Sequence, residues 1–102
     1  MSILHTVNKS PFERATLESC LGHAQAGDSL LLIEDAVGAA MAATTFAPRL
    51  ADAAATVKLY GLGPDLKARG LDPAAVVPGV TVVGYDGFVD LAAENSAVQS
   101  WL

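Results

Sequence analysis

The stretch Ser29–Glu34, "SLLLIE", decides the fold. Four large aliphatic residues follow one another with no polar residue between them. A strand with one solvated face alternates apolar and polar side chains, whereas a strand buried on both faces reads as a continuous apolar run. Such strands belong to parallel sheets sandwiched between helices, and the surrounding sequence agrees. "SILHTV" (Ser2–Val7) is a strand candidate that ends in the loop "NKSP". Ser10 suits a helix N-cap, Pro11 the first helical position and Glu13 the third, so a helix is expected from Pro11 to about Ala26, with Gly27 closing it. After the buried run, Asp35 is expected to cap a helix over "DAVGAAMAA", and a second helical piece lies near Arg49–Ala55. "TVKLYG" (Thr56–Gly61) reads as the third strand and "GPDLKARG" (Gly63–Gly70) as a short helix. "VTVVGY" (Val80–Tyr85) reads as the fourth strand, and Asp86 as the cap of the last helix, "GFVDLAAEN", before the tail "SAVQSWL". Strands alternating with helices predict an α/β fold: a single domain over residues 1–102, with a parallel sheet flanked by helices on both faces.

Composition narrows the function classes. The 102 residues fit one domain. They are 52% hydrophobic and only 17% charged, against about 25% in an ordinary domain. The mean hydropathy is +0.40. Two windows, Ala36–Pro48 and Pro73–Tyr85, carry no charge, but Thr44, Thr45, Pro78 and Gly79 interrupt them, so neither reads as a membrane span. The apolar surplus points instead to a surface that meets another protein. The net charge is −5, and the six bases (Lys9, Arg14, Arg49, Lys58, Lys67, Arg69) are scattered, so no clustered positive footprint for nucleic acid is expected. "MSILHTV" has no basic region followed by a long apolar stretch, and one cysteine cannot form an internal disulfide; both fit the cytoplasm.

In a parallel sheet the functional crevice lies beyond the carboxyl ends of the strands. Those ends deliver Asn8–Ser10, Glu34 with Asp35, Gly61–Asp65, and Tyr85 with Asp86. None forms a nucleotide motif: "NKSPFE" stands where a glycine-rich turn would follow the first strand, and Pro64 in "GLGPD" removes an N–H that a phosphate would use. No cofactor is expected. Nor is a metal, since His5, His23 and Cys20 are the only soft or borderline ligands. The adjacent carboxylates Glu34 and Asp35 would point apart at a strand end, and Asp35 as a cap needs no chemistry. Cys20 is the remaining candidate. On the expected helix it joins Leu17, Leu21 and Ala24 in one apolar stripe, and its mid-helix position gives no help from the N-terminal dipole that activates thiols.

Five blocks of the chain resemble the TusB/DsrH family of sulfur-relay subunits: "ILHTVNKSP", "GDSLLLIEDAV", "KLYGLGPDLKARGL", "YDGFVDL" and the terminal "QSWL". The chain departs from that pattern at Ala36, where the family usually has glycine, and it matches weakly over residues 42–56. The resemblance implies the smallest subunit of a heterohexamer, two copies each of three homologous chains, with DsrE/TusD-like and DsrF/TusC-like partners. It implies that the principal persulfide cysteine sits in the DsrE/TusD-like subunit, on a later segment where this chain has none, and that sulfur passes to a DsrC/TusE-type carrier. A cysteine at the place of Cys20, with the "MSILHTVNKSPFE" start, resembles the DsrH branch, which serves sulfur oxidation. The alternative is the TusB branch, which supplies sulfur for 2-thiouridine at a tRNA wobble position. Two roles stand side by side: a largely structural subunit without its own chemistry, and a sulfurtransferase subunit in which Cys20 is a secondary persulfide acceptor. A stand-alone small-molecule-binding domain is a weaker reading, because the phosphate loop is missing. Exposure of Cys20 separates the first two.

Overall fold

The structure, a computed structural model, describes residues 2–102. Five parallel strands form one sheet: β1 (Ile3–Val7), β2 (Ser29–Leu32), β3 (Lys58–Leu62), β4 (Val80–Val83) and β5 (Ala97–Trp101), in the spatial order β4-β3-β2-β1-β5. The continuous apolar run is a central strand. Leu30, Leu31 and Leu32 are completely buried, with Leu30 and Leu32 on one face and Leu31 on the other. Four helices accompany the sheet: α1 (Thr16–His23), α2 (Ala47–Ala53), α3 (Gly63–Ala68) and α4 (Tyr85–Glu94), together with a 3-10 helix over Glu34–Ala40.

The helices divide unequally. Leu17, Cys20 and Leu21 of α1, Leu50 and Ala53 of α2, Leu66 of α3, and Ala36, Val37, Ala39 and Ala40 of the 3-10 helix pack on the face that carries Val7, Leu30, Leu32, Leu59 and Val80. On the opposite face α4 alone brings Leu91, with half-buried Phe88 and Ala92, onto Leu4, Leu31 and Leu62. The chain order explains this. Steps from β1 to β2 to β3 to β4 all run in one direction across the sheet, so their connections share a face, whereas the step from β4 to β5 runs back past β1 and takes the other.

Several boundaries differ from the sequence expectation. The tail is not irregular: Ala97–Trp101 pairs along the whole of β1, from Ile3 opposite Ala97 to Val7 opposite Trp101, and the backbone N–H of Ser96 donates to Ser2 O. The first helix starts at Thr16 rather than Pro11. Ser10 makes only a local turn, its Oγ accepting from Phe12 N at 3.2 Å and its carbonyl from Glu13 N and Arg14 N. That helix ends at His23, where Ala24 turns extended; Gly27, at φ +90°, serves the turn into β2 instead. Asp35 caps nothing. The 3-10 helix follows extended Ile33 without a side-chain cap, and the Asp35 carboxylate pairs with Arg69 at 2.9 Å. Asp86 lies in the first turn of α4 without accepting a cap bond, Gly84 being the N-cap residue. Among the described residues no helix is long and apolar enough to cross a membrane.

Candidate functional site

The connections after β1, β2 and β3 lead to one face and the connection after β4 leads to the other, so the crevice at the carboxyl edge opens between β3 and β4. Gly63 and Gly84 begin its two sides. A Cβ at Gly63 would stand 3.2 Å from Val82 Cγ1 and 3.3 Å from Val83 O, so the close approach of the β3–α3 turn to β4 favours glycine. Around this edge the chain places carboxylates. Asp65 Oδ2 accepts from the backbone N–H of Glu34 at 2.6 Å and holds that residue at φ +49°, a left-handed conformation uncommon outside glycine. Arg69 donates to Asp35 Oδ1 through both Nε (3.2 Å) and Nη2 (2.9 Å), and through Nη1 to the carbonyl of Asp65 (3.4 Å). Glu34 and Asp35 therefore do not act as a pair: one is fixed through its backbone, the other through an arginine. Among the described residues this edge holds no cysteine or histidine, and no group of three or more His, Cys, Asp or Glu side chains is placed to hold a metal ion anywhere.

The chemistry-bearing groups that do converge lie under α1. His5 on β1 is 2% exposed and Asp28, just before β2, is 4% exposed. His5 Nε2 stands 2.9 Å from Asp28 Oδ2, and Trp101 Nε1 on β5 stands 3.1 Å from His5 Nδ1. An indole N–H only donates, so Nδ1 must accept and the imidazole proton sits on Nε2, where it donates to Asp28. Asp28 also accepts from Ile3 N (3.0 Å) and Gln25 N (3.0 Å). Burial alone would raise its pKa; the His5 bond, the two backbone N–H groups and the nearby imidazole outweigh that and hold the carboxyl below its ordinary range. The His23 ring meets Trp101 edge-on, with centroids 5.7 Å apart. Beside this network a cavity of about 360 Å³ opens to the surface past Gln25, Ser96 and Gln99.

Cys20 lies in the same layer. Its side chain has no exposed surface and packs with Leu17, Leu21 and Val7 in the larger core cluster. Burial first, and the negative charge of Asp28 second, push the thiol up to about 12. His23 projects to solvent one turn later and ends next to Trp101 rather than as a partner for the sulfur. His5 is packed in the sheet, but the Trp101–His5–Asp28 network carries no sequence signal. Its members are 96 and 23 residues apart, and only the pairing of β5 with β1 brings them together.

The family model described as DsrH like protein matches residues 9–98. The chain belongs to the TusB/DsrH family. Relatives named Protein TusB align over 97% of the chain and 100% of their own length: that of Erwinia tasmaniensis is 43% identical and that of Pectobacterium atrosepticum 37%. Among solved structures, the ychN protein of E. coli superposes with a TM-score of 0.86 over 99% of both chains at 16% identity. A protein of unknown function from Methanobacterium thermoautotrophicum gives 0.77, with 97% of this chain and 96% of its own covered, at 13% identity. Those two likenesses establish the fold. The curated relatives support the TusB branch better than the DsrH branch to which Cys20 and the amino-terminal block pointed.

Proposed function

We propose that this chain is the TusB-type subunit of a cytoplasmic sulfur-relay complex. It joins TusD/DsrE-like and TusC/DsrF-like subunits, two copies of each chain, and the assembly passes persulfide sulfur to a TusE/DsrC-type carrier on the route to 2-thiouridine at a tRNA wobble position. The observation that carries this reading is the full-length likeness to proteins named TusB. Within the assembly the chain acts as a structural subunit and Cys20 as a packing residue. Transfer by Cys20 would need a thiolate that reaches a persulfide sulfur. A buried thiol whose pKa stands near 12 offers on the order of one thiolate in a hundred thousand at neutral pH. Among the described residues the carboxyl-edge crevice, with glycines, a proline and carboxylates, supplies no second thiol.

The test is complementation. In a bacterium deleted for its own TusB, expression of this chain with its TusC- and TusD-like partners is expected to restore 2-thiouridine in tRNA, read by nucleoside mass spectrometry. Cys20→Ser is expected to restore it equally. Failure of the complete set to restore thiolation, with restored oxidation of stored sulfur in a host lacking its DsrEFH proteins, would return the chain to the sulfur-oxidation branch.

A further inference from the structure

The outer surface of α4 is divided lengthwise. Tyr85, Val89 and Ala93 recur at four-residue spacing and form one ridge; Tyr85 is 62% and Val89 67% exposed. This ridge continues into half-buried Phe88 and Ala92, so the apolar surface runs from solvent into the core beneath the helix. Asp86, Asp90 and Glu94 recur at the same spacing and form the neighbouring ridge, all exposed. No base shares the helix, since the six Lys and Arg residues all lie between positions 9 and 69. The ion pairs among the described residues join His5 to Asp28, Arg49 to Glu18 and Arg69 to Asp35, and none involves α4.

Physically this is an unfavourable way to finish an isolated helix. Like charges one turn apart repel, and Glu94 stands at the carboxyl end, where the helix dipole disfavours an acid. Neither an acidic ridge nor an exposed valine helps α4 to cover the sheet. Both become favourable under a partner that supplies apolar side chains to Tyr85 and Val89 and cations to the carboxylates, because complementary charge at an interface rim speeds encounter and fixes orientation.

We propose that the outer face of α4 is a docking surface for a protein partner with an apolar patch bordered on one side by Lys and Arg. This rests on the assembly reading above and deepens it by assigning the partner subunit's seat to α4 rather than to the α1–α3 side. The two can fail separately. The chain is co-expressed with its TusC- and TusD-like subunits, with the affinity tag on the TusD-like chain. Failure of the unaltered chain to co-purify overturns both the assembly reading and the docking surface. When it does co-purify, V89D and the triple variant D86K/D90K/E94K are each expected to weaken its retention about tenfold or more, and association of the unaltered chain is expected to weaken with salt. Hydrogen exchange on the unaltered complex gives a readout independent of any variant: amides of α4 are expected to slow on assembly. Undiminished co-purification of both variants, or unchanged α4 exchange, overturns the docking surface and leaves the assembly standing.

Discussion

The two faces of the sheet share every strand and are finished to different degrees. On the α1–α3 face the core cluster has seventeen buried residues, and on the α4 face four, among the described residues. Where three helices and a 3-10 helix close the first face, α4 alone spans the second, leaving Phe88, Tyr60, Val83 and Ile33 half-buried and Val98 of β5 nearly half exposed. The closed face contains the groups that look chemical in sequence, Cys20 and His5, and in the fold both are buried, Cys20 in the core cluster and His5 in a hydrogen-bond network. Among the described residues the open face holds no cysteine or histidine, yet it carries the exposed apolar and acidic ridges of α4. A nucleophilic residue type and a functional location need not coincide in a subunit that works through its neighbours.

Substitutions on the two faces separate these roles, and the largest effect is expected at the buried network. Asp28→Ala leaves the N–H groups of Ile3, Gln25 and His5 without their acceptor and is expected to cost about 4 kcal/mol in chemical denaturation of the isolated chain. The same carboxyl sets the acid limb. Because its folded pKa lies below its unfolded one, its contribution is complete above the ordinary Asp value of 3.8 and is lost as pH falls through the depressed folded value. Asp28→Asn is therefore expected to flatten the loss of stability on acidification; an unchanged acid limb would assign it to other carboxyls. Leu32→Ala on the closed face is expected to cost about 3 kcal/mol, while Val89→Ala on the open face stays within about 0.5 kcal/mol. Equal costs at these two positions would break the comparison. Cys20→Ser, which buries a hydroxyl in an apolar layer, is expected to cost about 1.5 kcal/mol. Within the buried network the smaller effect is Trp101→Phe, about 1 kcal/mol for the lost bond to His5 Nδ1, with the ring packing largely kept.

Much of the architecture was legible because its signals are local. Residues 29–34 announce a strand buried on both faces, and β3, α3, β4 and α4 fall within a few residues of their expected bounds. The misses have a shared cause. Ala97–Trp101 is a short, mostly exposed strand with weak alternation, and its pairing partner lies more than ninety residues earlier, so nothing nearby marks it. Ser10 and Asp35 are good caps by type, but Ser10 is satisfied in its own turn and Asp35 is drawn to Arg69, 34 residues away. The helical stripe Leu17–Cys20–Leu21 correctly located the thiol in the core. The network around His5 could not be anticipated, because it depends on β5.

The deciding question is whether a thiol on the closed face handles sulfur. Load the assembled complex with a persulfide donor, quench under denaturing alkylation and map every cysteine by mass spectrometry. Sulfane sulfur on partner cysteines, none on Cys20, and undiminished transfer to the carrier by Cys20→Ser are the predicted results. Sulfane sulfur on Cys20, with transfer abolished by the serine, would contradict the account.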